Sequence, residues 1–513
     1  MHRTRPFNSA FSRRAVIVLS LLCLLVLPVI LLTPLHADID IYQSMAFQLY
    51  RFHSLPYISS WDQNFPGIVF IQAGGIALFG NSEIGFRTMD YLVQALTLIA
   101  FYRVSRLWLG EGSALLASVL YALIYAFGPG MVMGQRDCFA VLPLVLGTGA
   151  MAMGFRSKSG RSRNMFVIAG GTLYAIATLI RPTFALMIVM PYISLFDLRK
   201  AEGRKAFVTG VIGFVIPVGL CMIPYLLTPH GLSEAYLATI RYNNEVYRNH
   251  FHFRDSSKRA WIALIFCIGW GLAMLRHRMN GRPFQESPRS PNEKRFLIFS
   301  IASLLIGVIV MRRLASYHFV PFFAFCIPVL SSILWEWKAR FGKWGRVYIA
   351  LLVLAAFVMF YPFWLAVPFI GSVLHLPNAS AVQLGPEIDV SVASYIEKNT
   401  TANDSVEVAS YTSPGVHWRI ERPSATRFTT IQQLMAIGSL GTYTNFQQRW
   451  RAEYVHQLEQ VKPKYYVIDN SMDLENNIPT MTELMRLDGF PALIENDYRI
   501  DTTIGNYVIY GRK

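Results

Sequence analysis

The feature that most constrains this chain is a series of mostly apolar runs between Ala15 and Ile370. A helix of about 20 apolar residues crosses the roughly 30 Å hydrocarbon core of a bilayer, and runs of this kind recur throughout that region. The chain is 53% hydrophobic and only 15% charged, which is too apolar for an ordinary surface that faces water. The sequence therefore predicts an integral membrane protein that crosses the bilayer many times.

Basic clusters between the apolar runs set the expected topology. Because Lys and Arg are concentrated in cytoplasmic loops, we expect these clusters and the N-terminus in the cytoplasm. The apolar segment Phe65 to Gly80 has only 16 residues, and if it crossed, every later cluster would lie outside. We therefore expect this segment to be a shallow interfacial or re-entrant helix on the outer side. The strongest clusters are Arg156 to Arg163, Arg199 to Lys205, Arg276 to Arg295 and Lys338 to Arg346.

This topology predicts an all-α membrane domain of eleven to thirteen spans over residues 1–372, with interfacial helices in the first outer loop. The first run, Ala15 to Thr33, is expected to be a retained helix and not a cleaved signal peptide. The net charge of +16 lies mostly in short loops, which is typical of topology signals and lipid contact and not of a nucleic-acid-binding face. The predicted spans are residues 15–34, 87–106, 112–129, 138–155, 164–180, 183–196, 207–227, 259–275, 296–311, 318–335 and 346–369.

The polar residues 373–513 are expected to form a small α/β domain outside the cytoplasm. Their sequence alternates stretches of helical and of strand-like pattern. The predicted helices are Val390–Lys398 and Thr480–Leu487, and the predicted strands are Val406–Ala409, Tyr465–Ile468 and Tyr507–Tyr510.

Three aspartates near the outer ends of spans are candidates for chemistry. Asp38 and Asp40 follow the first span and open a helix that would lie in the interface, where they could equally act as helix N-caps. Asp137 stands between two apolar spans, where a charge costs roughly 2.5 to 3.5 kcal/mol on insertion scales. It could pair with Arg136, its neighbour, or take part in function.

Basic and aromatic residues on the outer side suggest an anionic ligand. Arg312 and Arg313 oppose the positive-inside trend, and the planar guanidinium group suits phosphate oxygens. The alternatives are contact with anionic lipid headgroups and an error in the local topology. A long outer loop adds Arg248 with nearby tyrosines and histidines, a mixture that suits a sugar and a phosphate with low specificity. His250 and His252 are more typical of a surface pair than of a metal site.

Several enzyme signatures are missing from the sequence. It has no P-loop, no nucleophile elbow and no HExxH motif, which argues against an ATP-driven pump and against a nucleotide-sugar enzyme with a cytoplasmic catalytic domain. The five cysteines lie in or beside apolar runs, so neither a disulfide framework nor a metal–thiolate site is expected.

The order and spacing of several motifs resemble the GT-C glycosyltransferases, in particular the bacterial branch related to protein O-mannosyltransferases and the lipid A aminoarabinose transferase. Where relatives have a lysine after Trp-Asp, this chain has Gln63. The resemblance covers residues 15–370. The matching features are Asp38, Asp40 and Tyr42 after the first span, Leu55-Pro56-Tyr57, Trp61-Asp62-Gln63-Asn64-Phe65-Pro66-Gly67, Leu78-Phe79-Gly80, Arg87, Asp137 and the stretch from Arg313 to Tyr317.

The resemblance implies transfer of a sugar from a polyprenyl-phosphate donor to a lipid, glycan or protein acceptor, on the extracytoplasmic side of what we expect to be a bacterial plasma membrane. Asp38 is the first choice for the general base, Asp40 the alternate, and Asp137 a second acidic group that positions the acceptor. No cofactor is assigned, and a requirement for a divalent metal stays open. The residues expected at the donor phosphate are Arg136, Arg312, Arg313 and His318, and those expected at the substrate are Tyr42, Tyr57, Asp62, Arg248 and Tyr317.

Two other kinds of protein fit parts of this pattern. A transporter or flippase of lipid-linked glycans would also have a cationic cavity, but its charges should be distributed along the middle of spans. An O-antigen ligase or polymerase would place its chemistry in a large late outer loop. Nucleic acid is not an expected partner.

Overall fold

The protein is described from a computed structural model that covers residues 11–33, 35–126, 132–247, 290–311, 316–335, 387–411, 415–437, 441–471 and 478–513. The described residues are mostly helical, and the strands all lie after residue 405. The expected spans at 259–275 and 346–369 lie outside these residues, as does the domain boundary expected at 372/373. That boundary therefore stays a prediction.

Within the described residues, the elements up to residue 335 are helical, and a region of mixed helices and strands follows from residue 387. The helices are α1 Arg13–Leu21, α2 Ala37–Phe52, α3 Gly67–Phe79, α4 Glu83–Ser105, α5 Glu111–Ala126, α6 Arg136–Arg156, α7 Gly160–Ile180, α8 Leu186–Ser194, α9 Ala201–Leu227, α10 Gly231–Tyr236, α11 Pro291–Val310, α12 Tyr317–Trp335, α13 Glu387–Asn399, α14 Gly415–Arg419, α15 Gln432–Met435, α16 Asn445–Val461, α17 Thr480–Leu484 and α18 Phe490–Asp497. The strands are β1 Val406–Ala409, β2 Tyr465–Asp469, β3 Tyr498–Ile504 and β4 Tyr507–Arg512.

Five helical segments of the described chain are long and apolar enough to cross a membrane. They are Arg13–Leu31, Arg136–Arg156, Gly160–Ile180, Ala201–Leu227 and Tyr317–Trp335. Helices α3 and α4 would add a sixth if they form one broken span, because they meet at a bend of 110°. Such a bend is also the geometry of a re-entrant loop, the form expected for Phe65 to Gly80. The number of spans expected from the sequence therefore stays a prediction.

The described residues group into two compact units. The first lies within Met1–Thr33, Asp90–Cys221 and Phe253–Val382, and the second within Pro34–Met89, Met222–His252 and Gln383–Lys513. In the first unit, α6 packs along α7 through small residues: a side chain at Gly154 would collide with Val167, and one at Gly170 with Met151. Small residues let helix backbones approach closely, which is how membrane helices gain packing energy.

The second unit combines α2, α3 and the region after residue 387. Its sheet has the order β1-β2-β4-β3, with β1 and β2 parallel and the other pairs antiparallel. Strands β1, β2 and β4 lie where the sequence predicts them, and β3 is additional. A buried aromatic cluster brings the segment between α2 and α3 into the core of this unit, since the ring of Trp61 lies 4.7 Å from that of Trp450 and 5.2 Å from that of Tyr242.

Candidate functional site

The first turn of α2 carries two of the predicted aspartates. His36 precedes the helix, and its ring Nδ1 accepts a hydrogen bond from the backbone N–H of Asp38 at 3.4 Å. Carboxylates here benefit from the helix dipole, which is positive at the N-terminus. Residues two apart on an α-helix are separated by about 200°, so Asp38 and Asp40 project from nearly opposite faces. Asp38 is half-buried, whereas Asp40 is 3% exposed.

Asp40 is bound by side chains from the C-terminal part of the same unit. Its Oδ1 accepts a hydrogen bond from the indole Nε1 of Trp418 at 2.8 Å and lies 3.7 Å from Nη1 of Arg419. The guanidinium of Arg419 also pairs with Glu83 and lies 3.8 Å from the carboxylate of Asp389. Arg419 is therefore the shared counter-ion of three buried carboxylates, and we call these four residues the Arg419 cluster.

Burial dominates the electrostatics of this cluster. It raises the pKa of Asp40 to about 7, although Arg419 and the Trp418 hydrogen bond oppose the change, and Asp389 and Glu83 add to it. Burial likewise raises the pKa of Asp389, against a hydrogen bond from Tyr507 and the charge of Arg419. A carboxyl with a pKa near 7 holds its proton for part of the time at neutral pH. Because the carboxylate of Asp40 is buried and contacts Trp418 and Arg419, it does not resemble a base that an acceptor could reach.

Asp137 lies in a second ionic cluster, in the first unit. Its Oδ1 is 2.5 Å from Nη1 of Arg181, and its Oδ2 is 2.9 Å from Nδ1 of His318. The same His318 nitrogen is 2.9 Å from Nη1 of Arg181, and Arg181 also contacts the sulfur of Met311. Arg136, beside Asp137 in sequence, is half-buried. One carboxylate with two guanidinium groups leaves net positive charge at this end of α6, which suits an anionic ligand.

The local sequence explains how these side chains reach one place. Asp137 is in the first turn of α6, where the helix dipole favours a carboxylate. Pro182 biases the preceding residue towards extended backbone, so α7 ends at Ile180 and Arg181 is extended, with φ −153° and ψ 120°. His318 is carried by a short 3₁₀ turn at Ser316–Phe319.

A buried hydrogen-bonded network supports the turn that precedes Asp137. The hydroxyl of Tyr125 lies 2.7 and 2.9 Å from the two carboxylate oxygens of Asp90 and accepts the backbone N–H of Gly134 at 2.8 Å. Gly134 has φ +77°, a conformation that glycine adopts without strain. Gln94 donates to Asp90 at 3.2 Å. These groups fix the path of the chain into α6.

Two of the four residues predicted at the phosphate can be located. The structure brings His318 into contact with Asp137, which the sequence had assigned to the acceptor, and places the ring of Tyr317 4.2 Å from that of His318. Arg136 lies at the start of the same helix as Asp137. Arg312, Arg313 and Arg248 lie outside the described residues, and their assignments stay predictions.

The predicted substrate-binding residues Tyr42, Tyr57 and Asp62 take part in the internal structure of the second unit. The hydroxyl of Tyr57 donates to the backbone oxygen of Asn64 at 2.5 Å, and Oδ2 of Asp62 accepts the Asn64 N–H at 2.9 Å. Tyr57 belongs to the aromatic core, and Tyr42 is 2% exposed. Their binding role stays a prediction.

Sequence reasoning missed Arg181, Asp90, Trp418 and Arg419. For Arg181 a signal was present, because a charge at the end of an apolar span needs a partner. Trp418 lies 378 residues from Asp40, and no sequence periodicity connects them. Over the described ranges, no three His, Cys, Asp or Glu side chains converge as they would around a metal ion.

Comparisons with known proteins bear on the identity of this fold. The family model described as dolichyl-phosphate-mannose-protein mannosyltransferase matches residues 63–222. Among curated proteins, none matches the chain significantly.

Several solved structures share the architecture. The structure of ArnT from Cupriavidus metallidurans bound to undecaprenyl phosphate has a TM-score of 0.61 at 14% identity, covering 98% of each chain. The oligosaccharyltransferase of Archaeoglobus fulgidus, in complex with Zn and sulfate, has a TM-score of 0.51 at 14% identity, covering 96% of this chain and 73% of its own. The arabinofuranosyltransferase AftD from Mycobacteria has a TM-score of 0.50 at 13% identity, covering 98% of this chain and 40% of its own. The chain therefore shares the fold of these solved structures, and the family model that matches residues 63–222 agrees with the resemblance seen in its sequence.

Proposed function

We propose that this chain is a glycosyltransferase that moves a sugar from a polyprenyl-phosphate donor to an acceptor on the extracytoplasmic side of the membrane. The observation that carries the proposal is the match over 98% of both chains to a structure bound to undecaprenyl phosphate. The match of residues 63–222 to a mannosyltransferase family supports the same reaction class. The acceptor is a lipid, a glycan or a protein.

Asp38 is the proposed general base. An acceptor hydroxyl must lose its proton as it attacks the anomeric carbon of the donor sugar, so a carboxylate within reach accelerates the step by roughly 10² to 10⁴-fold. Asp38 is half-buried in the first turn of α2, and it faces away from the side of the helix on which Trp418 and Arg419 hold Asp40. Asp40 is accordingly a supporting residue.

The Asp137 cluster is proposed to serve the leaving phosphate. As the glycosidic bond breaks, negative charge grows on the phosphate, and fixed cations stabilise it. Arg136 and His318 are the phosphate ligands within the described residues, and Arg312 and Arg313 are added from the sequence. Asp137 pairs with Arg181 and His318. We therefore assign it to orienting these two groups, in place of the acceptor-positioning role expected from the sequence.

The finer membrane arrangement is part of the proposal. The eleven to thirteen spans follow from the apolar runs of the sequence, and the placement of residues 373–513 outside the cytoplasm follows from the positive-inside rule. The bacterial plasma membrane follows from the resemblance to the bacterial branch of the family. The sugar would be contacted by the aromatic and basic residues of the outer loops, including Tyr42, Tyr317 and Arg248.

The decisive experiment is a transfer assay. Purified protein in lipid nanodiscs is incubated with radiolabelled polyprenyl-phosphate sugars and total membrane lipids, with EDTA or with added Mg²⁺ or Mn²⁺, and the products are separated. We expect label to move from the donor to an acceptor in the wild type and not in Asp38→Asn. Label that crosses vesicle membranes on an unchanged lipid would indicate a flippase. Transfer from lipid-linked oligosaccharides alone would indicate a ligase.

A further inference from the structure

A short segment after the first strand of the C-terminal region contacts α2 at two points, Asp40 and Gln48. We call residues 415–422 the clamp segment; it comprises α14 and the three residues that follow. At the start of α2, Trp418 donates to Asp40 at 2.8 Å. About two turns later, Nε2 of Gln48 donates to the backbone oxygen of Arg422 at 3.0 Å. Two contacts this far apart fix both the rotation and the tilt of a helix.

The same segment is tied to the beginning of α4 through side chains. Nδ2 of Asn81 donates to the backbone oxygen of Trp418 at 2.9 Å, and Nε2 of Gln43 donates to Oδ1 of Asn81 at 3.0 Å. Arg419 pairs with Glu83. The clamp segment therefore joins α2 to the N-terminal end of α4 with hydrogen bonds and an ion pair, and most of the groups involved are buried.

We infer that Trp418 and Arg419 are positioning residues for Asp38, because they fix the rotational setting of the helix turn that carries it. This inference rests on the proposed function of Asp38. Asp40 lies on the opposite face of α2 and is 3% exposed. Its carboxylate contacts Trp418 and Arg419, which both belong to the clamp segment. A helix rotates as a rigid body, so holding Asp40 also sets the direction of Asp38 two residues earlier.

The composition of the Arg419 cluster fits this role. Three carboxylates surround one guanidinium group that also stacks on the Trp418 ring, with its central carbon 4.2 Å from the ring centroid. A planar fork with five N–H donors can bind several carboxylates at once, which the point charge of a lysine cannot do. Arg419 thus holds the carboxylates in defined directions, in addition to balancing their charge.

The test compares two substitutions of buried tryptophans. Trp418→Phe keeps an aromatic ring but removes the Nε1 donor to Asp40. Trp450→Phe is the matched control, because Trp450 is fully buried in the same unit and its Nε1 makes no hydrogen bond in the described structure. Full-length proteins in nanodiscs are compared by hydrogen exchange of peptides covering residues 37–52, by melting temperature and by donor-dependent turnover.

We expect exchange of the peptides covering α2 to be roughly 10- to 100-fold faster in Trp418→Phe, the factor that corresponds to a hydrogen bond to a charged group. The kcat for transfer should fall roughly tenfold or more, while the donor KM stays within about twofold, because positioning acts on the reacting geometry and not on donor affinity. Both variants should lower the melting temperature by similar amounts. Trp450→Phe should change neither the exchange of α2 nor kcat.

Asp40→Asn provides a second variant if Trp418→Phe does not fold. Asparagine keeps an oxygen that accepts from Trp418 but loses the ion pair with Arg419, so an intermediate increase in α2 exchange is expected. Wild-type exchange in α2 in a folded Trp418→Phe or Asp40→Asn protein overturns the inference, whether or not the wild type transfers sugar. Absence of transfer by the wild type contradicts the proposed function alone, because the exchange result still decides whether the clamp segment holds α2.

Discussion

Oδ1 of Asp137 lies 2.5 Å from Nη1 of Arg181, and both side chains are almost fully buried. A buried pair of this kind adds little to stability compared with a well-packed apolar pair, but removing one partner leaves an uncompensated charge. The structure thus makes Asp137 and Arg181 dependent on each other, and that dependence can be measured.

Arg181→Gln should destabilise the protein strongly, by roughly 3 to 5 kcal/mol, because Asp137 would then lie buried without its main counter-ion. The measurement is thermal unfolding in nanodiscs. Arg163→Gln is the control, since Arg163 pairs with Glu202 at 2.7 Å but Glu202 is 75% exposed. Equal melting temperatures for the two variants would contradict the buried pair.

The pH dependence of stability should report on the Arg419 cluster. The folded-state pKa of Asp40 is raised from 3.8 to about 7. The folded state therefore binds more protons than the unfolded state between these values, and stability falls as pH rises from about 4 through 7. Asp40→Asn should remove part of this fall.

The measurement is the melting temperature from pH 5 to pH 8, compared between wild type and Asp40→Asn. Glu407, whose pKa burial raises to about 7, gives a change of the same sign in both proteins and serves as an internal reference. A melting temperature that depends on pH identically in the two proteins would show that Asp40 is not buried in the way described.

The secondary structure that could be predicted from the sequence is the part that local patterns of apolar and polar residues determine. Helices α6 and α7 were predictable because each is one mostly apolar run that ends at basic residues, and β1 and β2 because their residues are mostly apolar or aromatic and are bounded by polar turns. Strand β3 was missed because its side chains are mostly exposed and polar, so it lacks a clear apolar alternation. Local patterns were sufficient where one face of an element is buried.

The prediction of candidate site residues has the same dependence on local sequence patterns. Asp137 and His318 were selected from the sequence because each stands at the end of an apolar run, where a charged or polar group needs a partner or a ligand, and their roles at the substrate stay predictions. Asp40 was ranked beside Asp38 because the sequence places them in one helix turn, and only the contact with Trp418 separates them. That contact depends on how chain segments 378 residues apart pack, which no local pattern encodes.

The expected topology places both ends of the segment Phe65 to Gly80 on the outer side. Cysteines introduced by Ser59→Cys and Ser82→Cys, in a background without the five native cysteines, should both react with an impermeant thiol reagent added outside. Both positions are exposed. Asn81 is less suitable because it bonds Trp418 and Gln43. Reaction of the second cysteine only from the cytoplasmic side would refute the topology and the site assignment built on it.

The donor phosphate is expected to bind arginines that oppose the topology rule. Replacing Arg312 and Arg313 together by alanine should weaken binding of a polyprenyl phosphate strongly, since charge-assisted hydrogen bonds contribute about 1.5 to 3 kcal/mol each. Binding is measured by titration of the lipid into protein in nanodiscs. Arg163→Ala controls for a change in overall charge. Unchanged affinity in the double variant would assign the two arginines to lipid headgroups.

The general-base assignment is tested most directly by the turnover of Asp38→Asn beside that of Asp40→Asn. Asparagine keeps the size of the side chain and can still accept a hydrogen bond, but it cannot take up a proton at neutral pH. If Asp38 is the base, Asp38→Asn should fold and bind donor normally while sugar transfer falls by roughly 10² to 10⁴-fold, and Asp40→Asn should lose less. Near-normal transfer by Asp38→Asn would contradict the assignment: with an inactive Asp40→Asn it would move the base two residues along, and with two active variants it would remove the start of α2 from the chemistry.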